Sequence, residues 1–233
     1  MSLLCDQVHI RVHEIIFDIL AGLKGSVHTL LDVGCHDGVL TAECAENLGI
    51  NQVFGIEFFD ENAEAARRRS ITVHTIDLEK DRFPFDDSSM GVVICNQVFE
   101  HLKQIYLPLA EIHRVLSKGG ILIFSTPNLS SLHCRLMLML GIQPSVIKVF
   151  GPHIRGFAFR ELRDLLTFNS LFKVRSVYGA GFYPLPEPIA GLLARFLPSL
   201  SYSPVFVLEK TSGCSENWTQ FIMKQNHETN YCS

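Results

Sequence analysis

Residues 30–38, Leu-Leu-Asp-Val-Gly-Cys-His-Asp-Gly, restrict what this chain can fold into more than any other stretch. An apolar run over 27–33, interrupted at His28, Thr29 and Asp32, stops at Gly34. Gly38 follows four residues later, and a helical pattern opens at Val39. That order reads as a buried strand turning sharply into a helix, with glycine where the backbone must bend or come close to a ligand. In open parallel sheets ligands sit just outside the carboxyl ends of the strands, so this turn is the first candidate for a cofactor cradle.

The dinucleotide fingerprint Gly-x-Gly-x-x-Gly does not fit it. That pattern needs glycine at 36 and 39, where His36 and Val39 stand, so a nicotinamide dehydrogenase is disfavoured.

The rest of the chain keeps the same rhythm. Apolar residues at 8, 12, 15, 16, 19, 20 and 23 predict a helix with one buried stripe. A helix over 39–48 closes at Gly49, and a strand over 52–56 ends at Glu57. An acidic residue there can accept hydrogen bonds from both hydroxyls of an adenosine ribose. Asp60 is placed to cap a helix reaching about Arg69. A strand over 71–76 leads into Asp77-Leu78-Glu79, where a carboxylate can receive an adenine amino group and Leu78 can pack on the ring. A strand over 90–95, a helix over 105–116 and a strand over 121–125 follow. Five rounds of alternation predict an α/β, doubly wound, mostly parallel sheet.

Composition narrows the class. With 47% hydrophobic and 19% charged residues in 233, the chain reads as one globular domain over 1–210, followed by a polar tail over 211–233. A net charge of -4 argues against a nucleic-acid partner, and the run Arg67-Arg68-Arg69 suits a solvated helix face. Seven cysteines without a Cys-x-x-Cys pair suggest reduced thiols, with Cys35 and Cys95 as small core residues. No signal segment or membrane-length apolar stretch is evident, so a cytoplasmic location is expected.

Several blocks then resemble one family. Asp32-x-Gly34-x-His36-x-Gly38 is similar to the Asp-x-Gly-x-Gly-x-Gly motif of the class I S-adenosylmethionine-dependent methyltransferases, with His36 in place of the middle glycine. Phe83-Pro84-Phe85-Asp86-Asp87-Ser88-Ser89, Val98-Phe99-Glu100-His101-Leu102 and Arg114-Val115-Leu116-Ser117-Lys118-Gly119-Gly120 resemble, in order and spacing, the type 11 group of that class. The likeness covers roughly 28–128 and reaches more faintly to about 210. It implies a seven-stranded Rossmann-like sheet with an antiparallel edge strand, and S-adenosylmethionine as cofactor. The cofactor contacts implied are Asp32, Gly34, Cys35, His36, Gly38, Glu57, Phe58, Asp77, Leu78 and Asn96. In such enzymes the segment after the fifth strand, here about 129–157, forms a lid over the acceptor. A second cap is expected over 184–200, and strands over 172–178 and 203–209 form the antiparallel pair.

A sulfonium-activated methyl needs mainly an aligned acceptor, and alignment is worth up to ~7–11 kcal/mol. A hydroxyl acceptor also needs a base, for which His101 and His153 are the candidates and His133 a weaker one. The quinone-pathway O-methyltransferases, which this region resembles, read Glu-x-x-Glu-His here and can hold a divalent cation. Gln97 replaces the first glutamate, which weakens a site that favours several oxygens, so no metal is expected. The expected partner is a small-molecule methyl acceptor. The apolar lid and cap would suit a lipophilic one taken up in transient contact with a membrane surface. The competing expectation is a non-catalytic member of the fold acting as partner or regulator.

Overall fold

The computed structural model describes residues 2–183, 185–186 and 189–212. Among them, seven strands form one sheet in the order β3-β2-β1-β4-β5-β7-β6. The strands are β1 (Thr29–Val33), β2 (Gln52–Glu57), β3 (Thr72–Thr75), β4 (Met90–Asn96), β5 (Leu116–Ser125), β6 (Phe172–Ala180) and β7 (Ser203–Lys210). The first five are parallel, and β7 runs against both β5 and β6. The expected antiparallel edge pair is therefore β6–β7, with β6 outermost.

Helices cover both faces because successive strand side chains point to opposite sides. Leu31, Val33, Val93 and Cys95 belong to one core, completed by Leu109, Ile112 and Val115 of α4 (Tyr106–Val115) and by Leu162 and Leu166 of α6 (Phe159–Thr167). Leu30, Val92 and Ile94 belong to the other. That core is closed by Val12, Ile16 and Leu20 of α1 (Ser2–Ala21), by α2 (Val39–Leu48) and by Ala63 and Ala66 of α3 (Asp60–Arg67). Burial on both faces explains why these strands read as nearly continuous apolar runs.

Four boundaries differ from the sequence reading for physical reasons. Helix α1 begins at Ser2, well before the first residue of the apolar stripe, since no Gly or Pro interrupts residues 2–8. Asp60 does not cap α3: Phe59 holds the cap position in extended backbone, and Asp60 is the first helical residue. There its carboxylate still favours the positive end of the helix dipole. Strand β5 reaches back to Leu116, because an irregular register between Met90 and Val92 absorbs Gly119-Gly120 inside the strand rather than before it. The expected cap contains a regular helix, α7 (Ile189–Phe196). Pro184, Trp218 and nearly all of the polar tail lie outside the described residues. After β5, α5 (Leu132–Met139) opens the segment expected to form a lid. Among the described residues, no helix is long and apolar enough to cross a membrane.

Candidate active site

The turn after β1 is built so that only glycine fits two of its positions. Gly34 has φ 80°, and a Cβ there would lie 2.6 Å from Cγ2 of Val98. Gly38 has φ 77°, and a Cβ there would lie 2.7 Å from both Ala66 Cβ and Ile71 Cδ1. The turn is also stitched to β2, since the N–H groups of Gly34 and Cys35 donate to the Ile56 carbonyl at 2.8 and 3.0 Å.

His36 takes a left-handed conformation (φ 49°), which glycine adopts more readily than other residues. Its side chain is largely exposed, 3.5 Å from the Asp37 carboxylate. The backbone therefore keeps the course of a glycine turn, and the imidazole stands outside it. Asp37 accepts the Val39 N–H at 3.2 Å and supplies the first turn of α2 with the acceptor that its cap residue Gly38 lacks.

Glu57 ends β2 with a buried carboxylate that faces this turn. Its two oxygens accept the N–H of His36 at 2.9 Å and of Phe59 at 3.0 Å. Asp32, buried near the end of β1, accepts from the Thr41 hydroxyl at 2.5 Å, and burial pushes its carboxyl up to about 6. Asp32 thus ties β1 to α2.

The other expected contacts lie at the same sheet edge in different roles. The Cys35 side chain fills the space over Gly55, where a Cβ would be 2.6 Å from its sulfur, so only its backbone faces the turn. Phe58 is exposed and packs edge-on against Phe59. Asp77 is held by the Glu79 N–H and the Lys80 ammonium, both at 2.9 Å. Leu78 is buried in the same core as Phe83 and Ile105. Asn96 accepts the Ser125 hydroxyl at the end of β4.

Residues 31–124 match the family described as "Methyltransferase domain". A "probable S-adenosylmethionine-dependent methyltransferase" of Mycolicibacterium smegmatis is 31% identical over 173 residues, covering 72% of this chain and 61% of that relative. Malonyl-[acyl-carrier protein] O-methyltransferase 1 of Coxiella burnetii is 31% identical over 97 residues, or 42% of this chain and 33% of that relative. A SAM-dependent methyltransferase structure from Thermotoga maritima superposes with a TM-score of 0.62 at 21% identity, covering 88% of this chain and 92% of that one. Over residues 31–124 the chain carries a methyltransferase domain of the class I S-adenosylmethionine-dependent type. It spans about a third to three fifths of the length of the curated relatives it matches.

S-adenosylmethionine is the cofactor of this family, and the residues present fit it. Gly34 and Gly38 let the turn close against Val98, Ala66 and Ile71 in a left-handed course, which fixes the loop backbone beside Glu57. A carboxylate offers about four acceptor sites, so Glu57, with two backbone donors already bound, retains capacity for ribose hydroxyls.

Beyond β4, the methyltransferase fold gathers a second group. His101 and His153 lie far apart in sequence, yet their rings are 4.9 Å apart. The Glu100 carbonyl brings them together by accepting the N–H groups of Ile154 and Arg155 at 2.9 and 3.1 Å. The His101 ring meets the Pro152 carbonyl at 3.3 Å, and the His153 ring meets the Val146 carbonyl at 2.8 Å, each through Nδ1. A carbonyl can only accept, so both Nδ1 atoms carry a proton, and it is Nε2 that presents a lone pair when the ring is neutral. Burial lowers the His101 pKa below the usual histidine value, which keeps the ring neutral at pH 7.

Glu100 lies beside them with 1% exposure. Its Oε2 accepts the Thr126 hydroxyl at 3.0 Å, Oε1 has no partner, and burial pushes the carboxyl up to about 7. One donor atom from each of Glu100, His101 and His153 falls within 4.8 Å of the others. His133 is elsewhere, stacked on Tyr202 and bonded to Ser131 and Ser145. Gln97, at the missing glutamate, spends its amide on the Ser125 and Ser203 hydroxyls.

Two residues escaped the sequence reading. His9 and His13 of α1 line a small cavity with Val8, Val12, Asn96, Gln97, Tyr202 and Ser203. Burial, then the neighbouring His9, lowers the His13 pKa. Their signal was present, since both flank Val8 and Val12 one helical turn apart. What periodicity leaves open is that α1 lies across the carboxyl end of β4.

Proposed function

We propose that the chain transfers the methyl group of S-adenosylmethionine to a small, lipophilic acceptor, with His101 and His153 as its bases. The observation that carries this is the strand-end cradle: two glycines with no room for a side chain, facing a buried glutamate at the end of the next strand. The cofactor, when bound, supplies a methyl already activated by its sulfonium. Glu57 holds the ribose, and the 34–38 backbone borders the methionine end. The segment 129–157 and the 189–200 region close the acceptor side and exclude water. Asp77 and Leu78 form the adenine end of the site.

Among the relatives, malonyl-[acyl-carrier protein] O-methyltransferases and a geranyl diphosphate C-methyltransferase of Streptomyces coelicolor name small acceptors of different kinds. The last superposes on this chain with a TM-score of 0.57 at 15% identity. Here the imidazole pair past β4 suits an acceptor that must lose a proton, and Nε2 of a neutral ring is the atom that would take it. We assign no metal to this group, since the Gln97 amide is committed to the two serine hydroxyls.

The non-catalytic alternative drew on His36 and on the lack of a clear acceptor-side base, and the outward His36 side chain removes the first of these grounds. The test is release of S-adenosylhomocysteine with a panel of prenyl alcohols, phenols and acyl thioesters. Turnover with a hydroxyl acceptor supports the proposal. Cofactor binding without turnover on any of them would favour the non-catalytic reading.

A further inference from the structure

Thirteen of the eighteen large apolar side chains exposed among the described residues lie in two segments, 136–154 and 183–197. In the first, Met139, Leu140 and Phe150 stand almost wholly in solvent. In the second, α7 is packed the wrong way round for a surface helix: Ala190 and Ala194 face the protein, while Ile189, Leu192 and Phe196 face outward. The two segments adjoin where Leu132, at the start of α5, packs into the same small core as Ala190 and Ala194. Singly exposed apolar residues are ordinary, but so many concentrated in two adjoining segments mark an interaction site.

The charges around it indicate the partner. Residues 126–160 contain Arg135, Lys148, Arg155 and Arg160 and no acidic residue, in a chain whose net charge is -4. Lys148 adjoins the exposed Val149-Phe150 pair, and Arg195 adjoins Phe196. A second copy related by a two-fold axis would set this acid-free segment against itself, with its cations unpaired. An anionic bilayer would accept the apolar side chains and neutralise the cations together.

We propose that this surface docks the chain on an anionic lipid bilayer. Met139, Leu140, Phe150 and the outer face of α7 enter the boundary between headgroups and acyl chains, and Lys148 and Arg195 meet lipid phosphates. The docking is peripheral, since no described helix can span a membrane. It does not depend on methyl transfer, and it would put the acceptor side of the fold against a source of lipophilic molecules.

The experiment is co-sedimentation of the full chain with vesicles of phosphatidylcholine alone, or with about a third phosphatidylglycerol. The proposal expects binding to the anionic vesicles, little binding to the neutral ones, and weakening at about 0.5 M salt, where the Debye length is only a few ångströms. Leu140→Glu and Phe150→Glu should each lower the bound fraction at least about fivefold, with unchanged Tm and unchanged S-adenosylhomocysteine affinity. Wild-type protein that stays in the supernatant with both vesicles, or variants that bind as well as wild type, would overturn it. So would a wild-type dimer that Phe150→Glu makes monomeric and that ignores vesicles, which would assign the surface to a second copy.

Discussion

The carboxylate of Glu57 receives the backbone N–H of His36 at 2.9 Å, joining the end of β2 to the turn after β1. One buried side chain thereby sets the height of the cofactor loop and presents an acceptor to whatever lies in it. Replacing it should affect both tasks. We expect Glu57→Ala to weaken S-adenosylhomocysteine binding by roughly 1.5–3 kcal/mol, the range for hydrogen bonds to a charged group. Calorimetric titration of the folded variant checks this. An affinity equal to wild type would remove Glu57 from the cofactor site.

Gly38 is the position where backbone and packing agree most sharply. An alanine there combines a left-handed backbone, costing about 1–2 kcal/mol, with a Cβ driven into Ala66 and Ile71, costing about 1–3. Gly38→Ala should therefore lower stability by roughly 2–5 kcal/mol in urea unfolding. His36→Gly should leave cofactor affinity within about twofold, because the imidazole stands outside the turn. A stable Gly38→Ala protein would mean that the α2–α3 contact is looser than described.

Glu100 gives the account a pH signature. Burial raises its carboxyl from 4.5 to about 7, so between those values the folded chain keeps a proton that the unfolded chain has lost. Its contribution to stability is complete below pH 4.5 and falls as pH rises to 7. The neutral Glu100→Gln should match wild type near pH 4.5 and exceed it at pH 8 by up to roughly 3 kcal/mol. Denaturant unfolding at the two pH values measures the difference. A gap that does not change with pH would show that the carboxyl titrates normally.

His101→Ala should abolish turnover on a hydroxyl acceptor while cofactor affinity is retained, and His153→Ala should lower it by about 10²-fold or more. Both are read from S-adenosylhomocysteine release beside a binding isotherm. Turnover should also survive a chelator such as EDTA. Loss of activity on chelation, restored by a divalent ion, would turn Glu100, His101 and His153 into a metal centre.

The sheet was legible because its strands are buried on both faces, so Leu30-Leu31 and Val92-Val93 announce themselves without partners. The place of Glu57 at the end of β2 was legible for the same reason, since parallel strands of regular length place strand ends at a regular spacing. The meeting of His101 with His153 was not. It depends on backbone N–H groups of Ile154 and Arg155 finding the Glu100 carbonyl, and backbone pairing leaves no trace in residue type. The start of β5 was misread because Gly119-Gly120, a helix stop elsewhere, here sits in a strand irregularity. What the spacing of Ile189, Leu192, Leu193 and Phe196 left open was direction: the same helical pattern serves a stripe that faces the core or, as in α7, one that faces outward.

Thermal unfolding with S-adenosylhomocysteine, with NAD as control, tests the central claim most directly. At ~100 times its dissociation constant a ligand adds ~2.7 kcal/mol, which for a domain of this size is a rise of roughly 5–10 °C. The account predicts that rise with S-adenosylhomocysteine and none with NAD. No rise with either would contradict it, and would mean that the Gly34–His36–Gly38 turn cradles no cofactor.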